Sequence, residues 1–337
     1  MSGRVRLAAL LSALAGGFLL YAVGGERPRL RLQRYSLSLP AGDGLRLLHL
    51  ADPHFGSDGP LRRRRLQNLR RLLPGLRVDL IAFTGDFLHN NDGLDAVETL
   101  LRLLPPAPLG RYAVLGNHDY AEYSWRYFFL GLVAHEIAVA PTAAARLAAA
   151  WQGMRRILVL GWHILRNHPL QFARLPNNTR ELRALLALYD VHVLDNTAVP
   201  VPGRPDLWVA GVDDPIEGTP DLARALAAVP PDKTVIFLTH HPDLAFCLPD
   251  DRPVLALAGH THGGQVILPL LGAVHTQGTR LPRRQAAGYF ELSERIRLIV
   301  ARGIGESTPF RFRCPPEVVL IDLRPTPAAR SQTRATP

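Results

Sequence analysis

The chain has 337 residues, 47% apolar and 20% charged, with two cysteines and a formal net charge of +10. Such a length and apolar share belong to a globular chain able to bury a large core, and the absence of any Cys-x-x-Cys pair excludes a thiolate zinc site and argues against a disulfide framework. The basic excess is nearly all arginine, with Lys233 the sole lysine, and favours anionic partners: phosphates, acidic lipid head groups or nucleic acid.

In chain order, Arg4 and Arg6 come first, then an uncharged run from Leu7 to Gly25. That is close to the ~20 residues that span a bilayer. Residues 1–25 are expected to form an N-terminal transmembrane or signal-anchor segment. An Ala-Leu-Ala at 13–15 resembles a cleavage box, but Phe18, Leu19 and Leu20 continue the apolar stretch past it, which favours an uncleaved anchor. Arg27, Arg29, Arg31 and Arg34 outnumber the basic residues before the run, so the positive-inside rule favours the cytoplasmic side of a bacterial inner membrane. Export would require the shorter basic cluster to prevail, and the sequence leaves both open.

Residues 26–40 read as a basic connector, and the main domain is expected over 41–324. Five short apolar runs punctuate it, each ending in polar residues: Leu45–Leu50 before Ala-Asp-Pro-His, Leu80–Thr84 before Gly-Asp, Tyr112–Leu115 before Gly-Asn-His-Asp, Thr234–Leu238 before Thr-His-His-Pro-Asp, and Val254–Ala258 before Gly-His-Thr-His-Gly-Gly. Runs of this length read as buried strands. Helical spacing appears over 61–73, over 93–104 before Pro105-Pro106, and over 221–229. Further strands are expected at 207–212, 297–303 and 318–323. Between about 121 and 188 the rhythm breaks, and this segment reads as a mainly helical insertion. The tail, 325–337, is rich in Pro, Ala, Ser and Thr and is expected to be disordered.

Strands alternating with helices predict an α/β layered domain with ligand groups gathered beyond the carboxyl ends of strands. The side chains there are Asp52, His54, Asp86, Asn117, His118, His240, His260 and His262. Carboxylates, imidazoles and an amide oxygen suit Mn, Fe or Zn and lack the thiolates that soft metals prefer. Eight groups are too many for one ion with open positions but suit two, with a carboxylate bridging. Two ions ~3.5–4 Å apart can clamp the attacking and leaving oxygens of a displacement at phosphorus, and they lower the pKa of a bound water. In Gly-His-Thr-His-Gly-Gly, an extended backbone would turn Thr261 away and aim His260 and His262 into the site.

The set Asp-x-His (52–54), Gly-Asp (85–86), Gly-Asn-His-Asp (116–119), His240 and Gly-His-Thr-His (259–262) resembles the calcineurin-like metallophosphoesterases. Gly-Val-Asp-Asp-Pro (211–215), Gly-Gly-Gln-Val (263–266), Arg-Gly-Ile-Gly (302–305) and Cys-Pro-Pro-Glu (314–317) are similar to pieces of the membrane-associated branch. The resemblance implies a two-sheet β-sandwich flanked by helices. It implies one divalent ion held by Asp52, His54, Asp86 and His262, and a second held by Asp86, Asn117, His240 and His260, with Asp86 shared. It implies that His118 faces the phosphate as the catalytic imidazole and that Asp119 orients it.

Other residues carry blander readings. The choice of His240 over His241 follows the family pattern. Asp213 and Asp214 precede Pro215 and read as a turn or a support for the site. His89 and Asn90 lie near enough to Asp86 to touch substrate. Arg62–Arg65 make a solvated helix face or an attraction for phosphate or acidic lipid. Trp151, Met154 and Trp162, set among Arg146, Arg155, Arg156 and Arg166, suit either a membrane interface or a helical cap with its own small core.

The expected activity is metal-dependent hydrolysis of a phosphodiester or pyrophosphate by a metal-activated hydroxide, on a phosphate-containing, lipid-linked substrate such as UDP-2,3-diacylglucosamine. Nucleic acid is the less expected partner, and oligomeric state is left open. A nuclease or general phosphodiesterase, and a non-catalytic membrane scaffold, are the competing readings.

Overall fold

A computed structural model describes residues 16–17, 20–123, 132–167 and 174–324. After a π-helical turn at Tyr21–Gly25, the first strand is β1 (Arg31–Ser38), inside the stretch expected as a basic connector; β2 (Arg46–Leu50), α1 (Pro60–Leu72), β3 (Leu80–Thr84), α2 (Leu94–Arg102) and β4 (Arg111–Val114) follow. A one-turn helix α3 (Asn117–Tyr120) leads into the insertion: β5 (Ala121–Tyr123), α4 (Leu132–Val139), α5 (Ala143–Arg166), β6 (Arg174–Pro176) and α6 (Thr179–Leu188). Then come β7 (Val191–Val193), β8 (Thr197–Val201), β9 (Arg204–Gly211), α7 (Leu222–Leu226), β10 (Thr234–Leu238) and β11 (Val254–Ala258). The chain closes with β12 (Ile267–Leu268), β13 (Gly272–Ala273), β14 (Gly288–Glu291), β15 (Ile296–Val300) and β16 (Glu317–Arg324).

Two six-stranded sheets form the frame, ordered β1-β16-β2-β3-β4-β7 and β14-β15-β11-β10-β9-β8. In the first, β2, β3 and β4 run parallel; in the second, β9, β10, β11 and β15 do. The central strands β3, β10 and β11 are buried at every position, as continuous apolar runs covered on both faces must be. One core lies between the sheets, where Leu47, Ala82 and Val114 meet Val209, Ile236 and Leu257. A second packs helices α1, α2 and α6 on the outer face of the first sheet through Leu69, Leu100 and Leu182. A third covers the second sheet with Val229, Ala245 and Leu281. The α/β architecture of two sheets flanked by helices is therefore present.

The described residues of the insertion are mainly helical, and the antiparallel pair β5–β6 clips them together. Among the described residues no helix is long and apolar enough to cross a membrane. Most of the N-terminal run read as a span, residues 7–15, 18 and 19, lies outside the described residues, as does the tail 325–337.

Candidate metal centre

Each expected motif begins within three residues of a strand end: Asp52 after β2, Asp86 after β3, Asn117 after β4, His240 after β10 and His260 after β11. Parallel strands put these ends on one edge of each sheet, and the two edges meet. The backbone there is unusual. Asp52, His54, Asp86, His260 and His262 all have positive φ, between 45° and 69°. Non-glycine residues in that region are costly and persist where surrounding bonds over-determine them. Such bonds are present: Asp52 N donates to Gly85 O (3.1 Å), His54 N to Asp86 O (2.9 Å), and Ile304 N to Ala51 O (2.9 Å). The Gly-His-Thr-His turn is thus not the extended segment that its alternation suggested. His260 and His262 converge because both are left-handed, while Thr261 does turn away, its hydroxyl donating to Ala286 O (2.7 Å).

The side chains gather around Asp86. Its Oδ2 lies 3.1 Å from His54 Nε2 and 3.3 Å from His240 Nε2. On the His54 side, Asp52, His54 and Asp86 have ligand atoms within 4.8 Å of one another, and the His262 ring centroid is 4.8 Å from that of His54. On the other side, His240 Nε2 lies 3.1 Å from Asn117 Oδ1 and 3.1 Å from His260 Nδ1. All seven expected ligands therefore converge, with the Asp86 carboxylate between the two groups. Close backbone approach makes this possible. A Cβ on Gly116 would stand 2.3 Å from Asp86 Oδ1, and one on Gly259 would stand 2.6 Å from Asp52 Oδ1.

The electrostatics fit cation binding. Burial pushes His260 and His262 well below the usual imidazole range, and neighbouring histidines push them further, so both rings are neutral and able to ligate. Burial would raise Asp86, but His240, His118 and His54 outweigh it and hold the carboxyl well below its ordinary value. Burial would lower His240, yet Asp86, Asp52 and Asp214 raise it to about 10. The carboxylates of this pocket thus demand positive charge. His240 Nδ1 is committed to Thr84 O (2.8 Å), which leaves Nε2 for a cation.

A direct test of fit comes from unsatisfied atoms. Buried polar atoms normally have partners. Yet His54 Nδ1 and Nε2, His118 Nδ1, His260 Nε2 and His262 Nδ1 are buried without hydrogen bonds. Orphaned imidazole nitrogens beside carboxylates are the donors that a divalent-ion site presents. The donor set fits two such ions.

Other expectations fare variously. Asp119 does not reach the His118 ring: its Oδ1 accepts from Leu88 N (3.0 Å) and its Oδ2 from Gly116 N (3.0 Å), so it holds the loop backbone. His118 packs edge-on against His54 at 4.4 Å and tilted against Tyr123 at 4.8 Å between ring centroids. His89 stacks on His118 at 5.6 Å and, with His54, lines an open cleft. His241 accepts from Asp243 N (3.3 Å) and caps a turn, its ring 4.5 Å from that of His260. Asp213 accepts from Tyr120 Oη (2.6 Å), Asp214 N and Thr219 N, and Asp214 from Ile216 N and Glu217 N; the pair builds its own turn. Cys247 and Cys314 are both free.

Two supports were not anticipated. Cys314 is buried and its thiol donates to His262 O (3.2 Å), bracing the metal turn from behind. Glu306, also buried, pairs with Arg27 (2.6 Å) and Arg65 and lies 3.9 Å from Arg311. Glu306, Arg27 and Arg65 wall this open cleft of about 800 Å³, whose lining includes His54, His89, Arg62 and Tyr123. Arg65, expected on a solvated face, is buried here, whereas Arg62 and Arg63 pair with Asp58 and Asp95 at the surface. The readable signal was Glu306 itself, the only acid between Arg295 and Pro316.

The chain is similar to several known proteins. UDP-2,3-diacylglucosamine pyrophosphatase LpxG of Chlamydia muridarum is 28% identical over 304 residues, covering 87% of this chain and 88% of its own. The uncharacterized metallophosphoesterase YkuE of Bacillus subtilis is 25% identical, covering 97% of this chain and 99% of its own. A solved structure, TT1561 of Thermus thermophilus, aligns with 78% of this chain and 91% of its own at 15% identity and a TM-score of 0.40. A sequence model of calcineurin-like phosphoesterases matches residues 45–264, a span that takes in all five ligand-bearing loops. The chain belongs to the calcineurin-like phosphoesterase family, and it is a metal-dependent phosphoric ester hydrolase.

Proposed function

We propose that the enzyme hydrolyses a phosphodiester or pyrophosphate bond in a lipid-linked substrate of the UDP-2,3-diacylglucosamine type, using two divalent ions, and that its N-terminal apolar run anchors it in the bacterial inner membrane. The observation that carries the hydrolytic reading is the placement of Asp86 between two groups of buried histidines with orphaned nitrogens. Asp52, His54, Asp86 and His262 would hold one ion; Asp86, Asn117, His240 and His260 would hold the other. Bound there, the ions supply Lewis acidity and a water of lowered pKa. Mn, Fe and Zn all suit these ligands.

The chain's own residues do the rest. Asp86 is pinned by the His118 backbone N–H (2.8 Å), so its carboxylate cannot swing away from the gap it bridges. Burial and the neighbouring His54 keep His118 neutral, well below the usual imidazole range. A neutral ring at the rim can donate to a phosphoryl or leaving oxygen where charge gathers. The lipid-linked substrate rests on likeness to the two LpxG proteins, both 28% identical.

The test is UMP release from UDP-2,3-diacylglucosamine by the purified, manganese-loaded full chain, run beside bis-p-nitrophenyl phosphate. Release of UMP that is lost in Asp86→Ala and His260→Ala supports the proposal. Hydrolysis of the chromogenic diester alone would assign a general phosphodiesterase instead. Inactivity toward both would reject this substrate class.

A further inference from the structure

The long insertion helix α5 exposes large apolar residues along one side. Elsewhere on it Ala149 and Gly153 are buried, and Arg156 pairs with Glu136 of α4 at 2.9 Å. On the outer face Leu147, Trp151, Met154, Leu158 and Trp162 recur every three or four residues, forming one stripe. They are between 50% and 74% exposed. A water-facing helix normally carries the reverse pattern, and a contiguous exposed apolar patch marks an interaction surface.

Two other chain segments add to this face. The tip between β12 and β13 exposes Leu270 (95%) and Leu271 (69%). The end of the N-terminal apolar run exposes Leu20 and Val23. Hydrogen bonds tie the three together. Asn167, the C-cap of α5, bonds Thr276 through both its amide atoms (2.7 and 2.8 Å), and Arg283 donates to Ile164 O (2.9 Å). On the far side of the β12–β13 tip, Ile267 N donates to Phe312 O (2.9 Å), Phe312 meets the Tyr21 ring edge-on, and Arg311 N donates to Ala22 O (2.9 Å). All of this hangs on the segment that follows the metal turn.

Charge selects the occupant. Helix α5 has four arginines and no acidic residue. Arg155 and Arg166 are exposed and lie on one flank of the stripe, roughly a quarter-turn round at 3.6 residues per turn. Arg166 sits over the Trp162 ring at 4.3 Å. Guanidinium groups fringing tryptophans and leucines match the boundary between head groups and acyl chains.

We propose that the outer face of α5 and the Leu270–Leu271 tip dock together onto an anionic lipid bilayer, seating the metal centre at the membrane surface.

The test uses the full chain reconstituted into phosphatidylcholine vesicles with and without phosphatidylglycerol, with acyl-chain-brominated lipid as the quencher of tryptophan fluorescence. The chain has four tryptophans, so Trp151→Phe with Trp162→Phe isolates the stripe. Quenching is expected in the wild type and should be mostly lost in that variant. Leu270→Glu with Leu271→Glu is expected to reduce quenching of the stripe while leaving the far-UV spectrum unchanged. Arg155→Gln with Arg166→Gln should erase the excess quenching seen in anionic over neutral vesicles. Equal quenching in wild type and Trp151→Phe/Trp162→Phe would overturn the proposal. So would shielding of these rings from iodide that grows with protein concentration in lipid-free detergent, since the face would then be a contact between two copies. None of these readouts needs turnover, so failure here leaves the hydrolytic reading standing.

Discussion

Gly116→Ala is the sharpest probe of the site. Gly116 has φ −110° and ψ 173°, extended backbone that alanine adopts freely, so only space decides the outcome. The added methyl carbon would stand 2.3 Å from Asp86 Oδ1 and 2.6 Å from His240 Nδ1, where ordinary contact begins near 3.4 Å. Neither neighbour can swing aside, because Asp86 Oδ1 holds His118 N at 2.8 Å and His240 Nδ1 faces Thr84 O at 2.8 Å. The carboxylate, or the loop carrying residue 116, must therefore move by about 1 Å. A misplacement of that size costs on the order of 10²-fold in rate, about 2.7 kcal/mol of transition-state stabilisation. The assay is kcat/KM on bis-p-nitrophenyl phosphate across a manganese titration, with circular dichroism to show that the fold persists. Gly75→Ala serves as control, since nothing lies within 4 Å of its added carbon. Wild-type turnover and manganese affinity in Gly116→Ala would refute the claim that Asp86 and His240 hold their places against this glycine in the working enzyme.

Chelation with EDTA should lower the Tm, and manganese should restore it; at 100 times the dissociation constant the linkage is about 2.7 kcal/mol. An unchanged Tm would speak against the orphaned histidine nitrogens as ligands. Glu306→Ala leaves Arg65 and Arg311 buried without their carboxylate and should cost about 3–5 kcal/mol in urea unfolding. Burial would raise Glu306, but Arg65, Arg27 and Arg311 hold it below 4.5. A depressed folded-state value means its contribution is complete above that pH and is lost as pH falls through the folded value, so the gap between wild type and Glu306→Ala should narrow in acid. Asp119→Asn sets an amide group against a backbone N–H that the carboxylate now accepts, and should lower stability by about 1–3 kcal/mol. Lost turnover at unchanged stability would instead show Asp119 acting on His118.

The strands that carry the metal loops were readable because each is an unbroken apolar run that stops where the chemistry starts. Leu80–Thr84 before Asp86 and Val254–Ala258 before His260 announce a buried strand and a polar edge in the same few residues. β1 was hidden because Arg31 and Arg34 interrupt it, as an edge strand with one open side allows. The β5–β6 clip was too short, at three residues each, to show a period. Within the site, residue types revealed which side chains meet but not how. His260 and His262 are left-handed, and His260 N donates to the Asp52 carboxylate from far along the chain, a contact that no local pattern encodes. Asp119 illustrates the same limit: its neighbour in sequence is His118, but its carboxylate faces the Gly116 amide of its own turn and the Leu88 amide of the loop after β3.

The pairing of β1 and β2 with β16 has a consequence for biogenesis. β1 waits for a partner made much later in the chain, since Arg31–Ser38 aligns with Glu317–Arg324, and β2 lacks its second neighbour until then, with His49 opposite Val319. The Asp52 loop waits too, because Gly305 N closes onto Asp52 O. A nascent chain from which Gly305 and β16 have not emerged therefore has no finished cage to fill. Capture of cations is expected to follow their emergence, when the ions around the folded domain, not those near its first residues, determine what it carries.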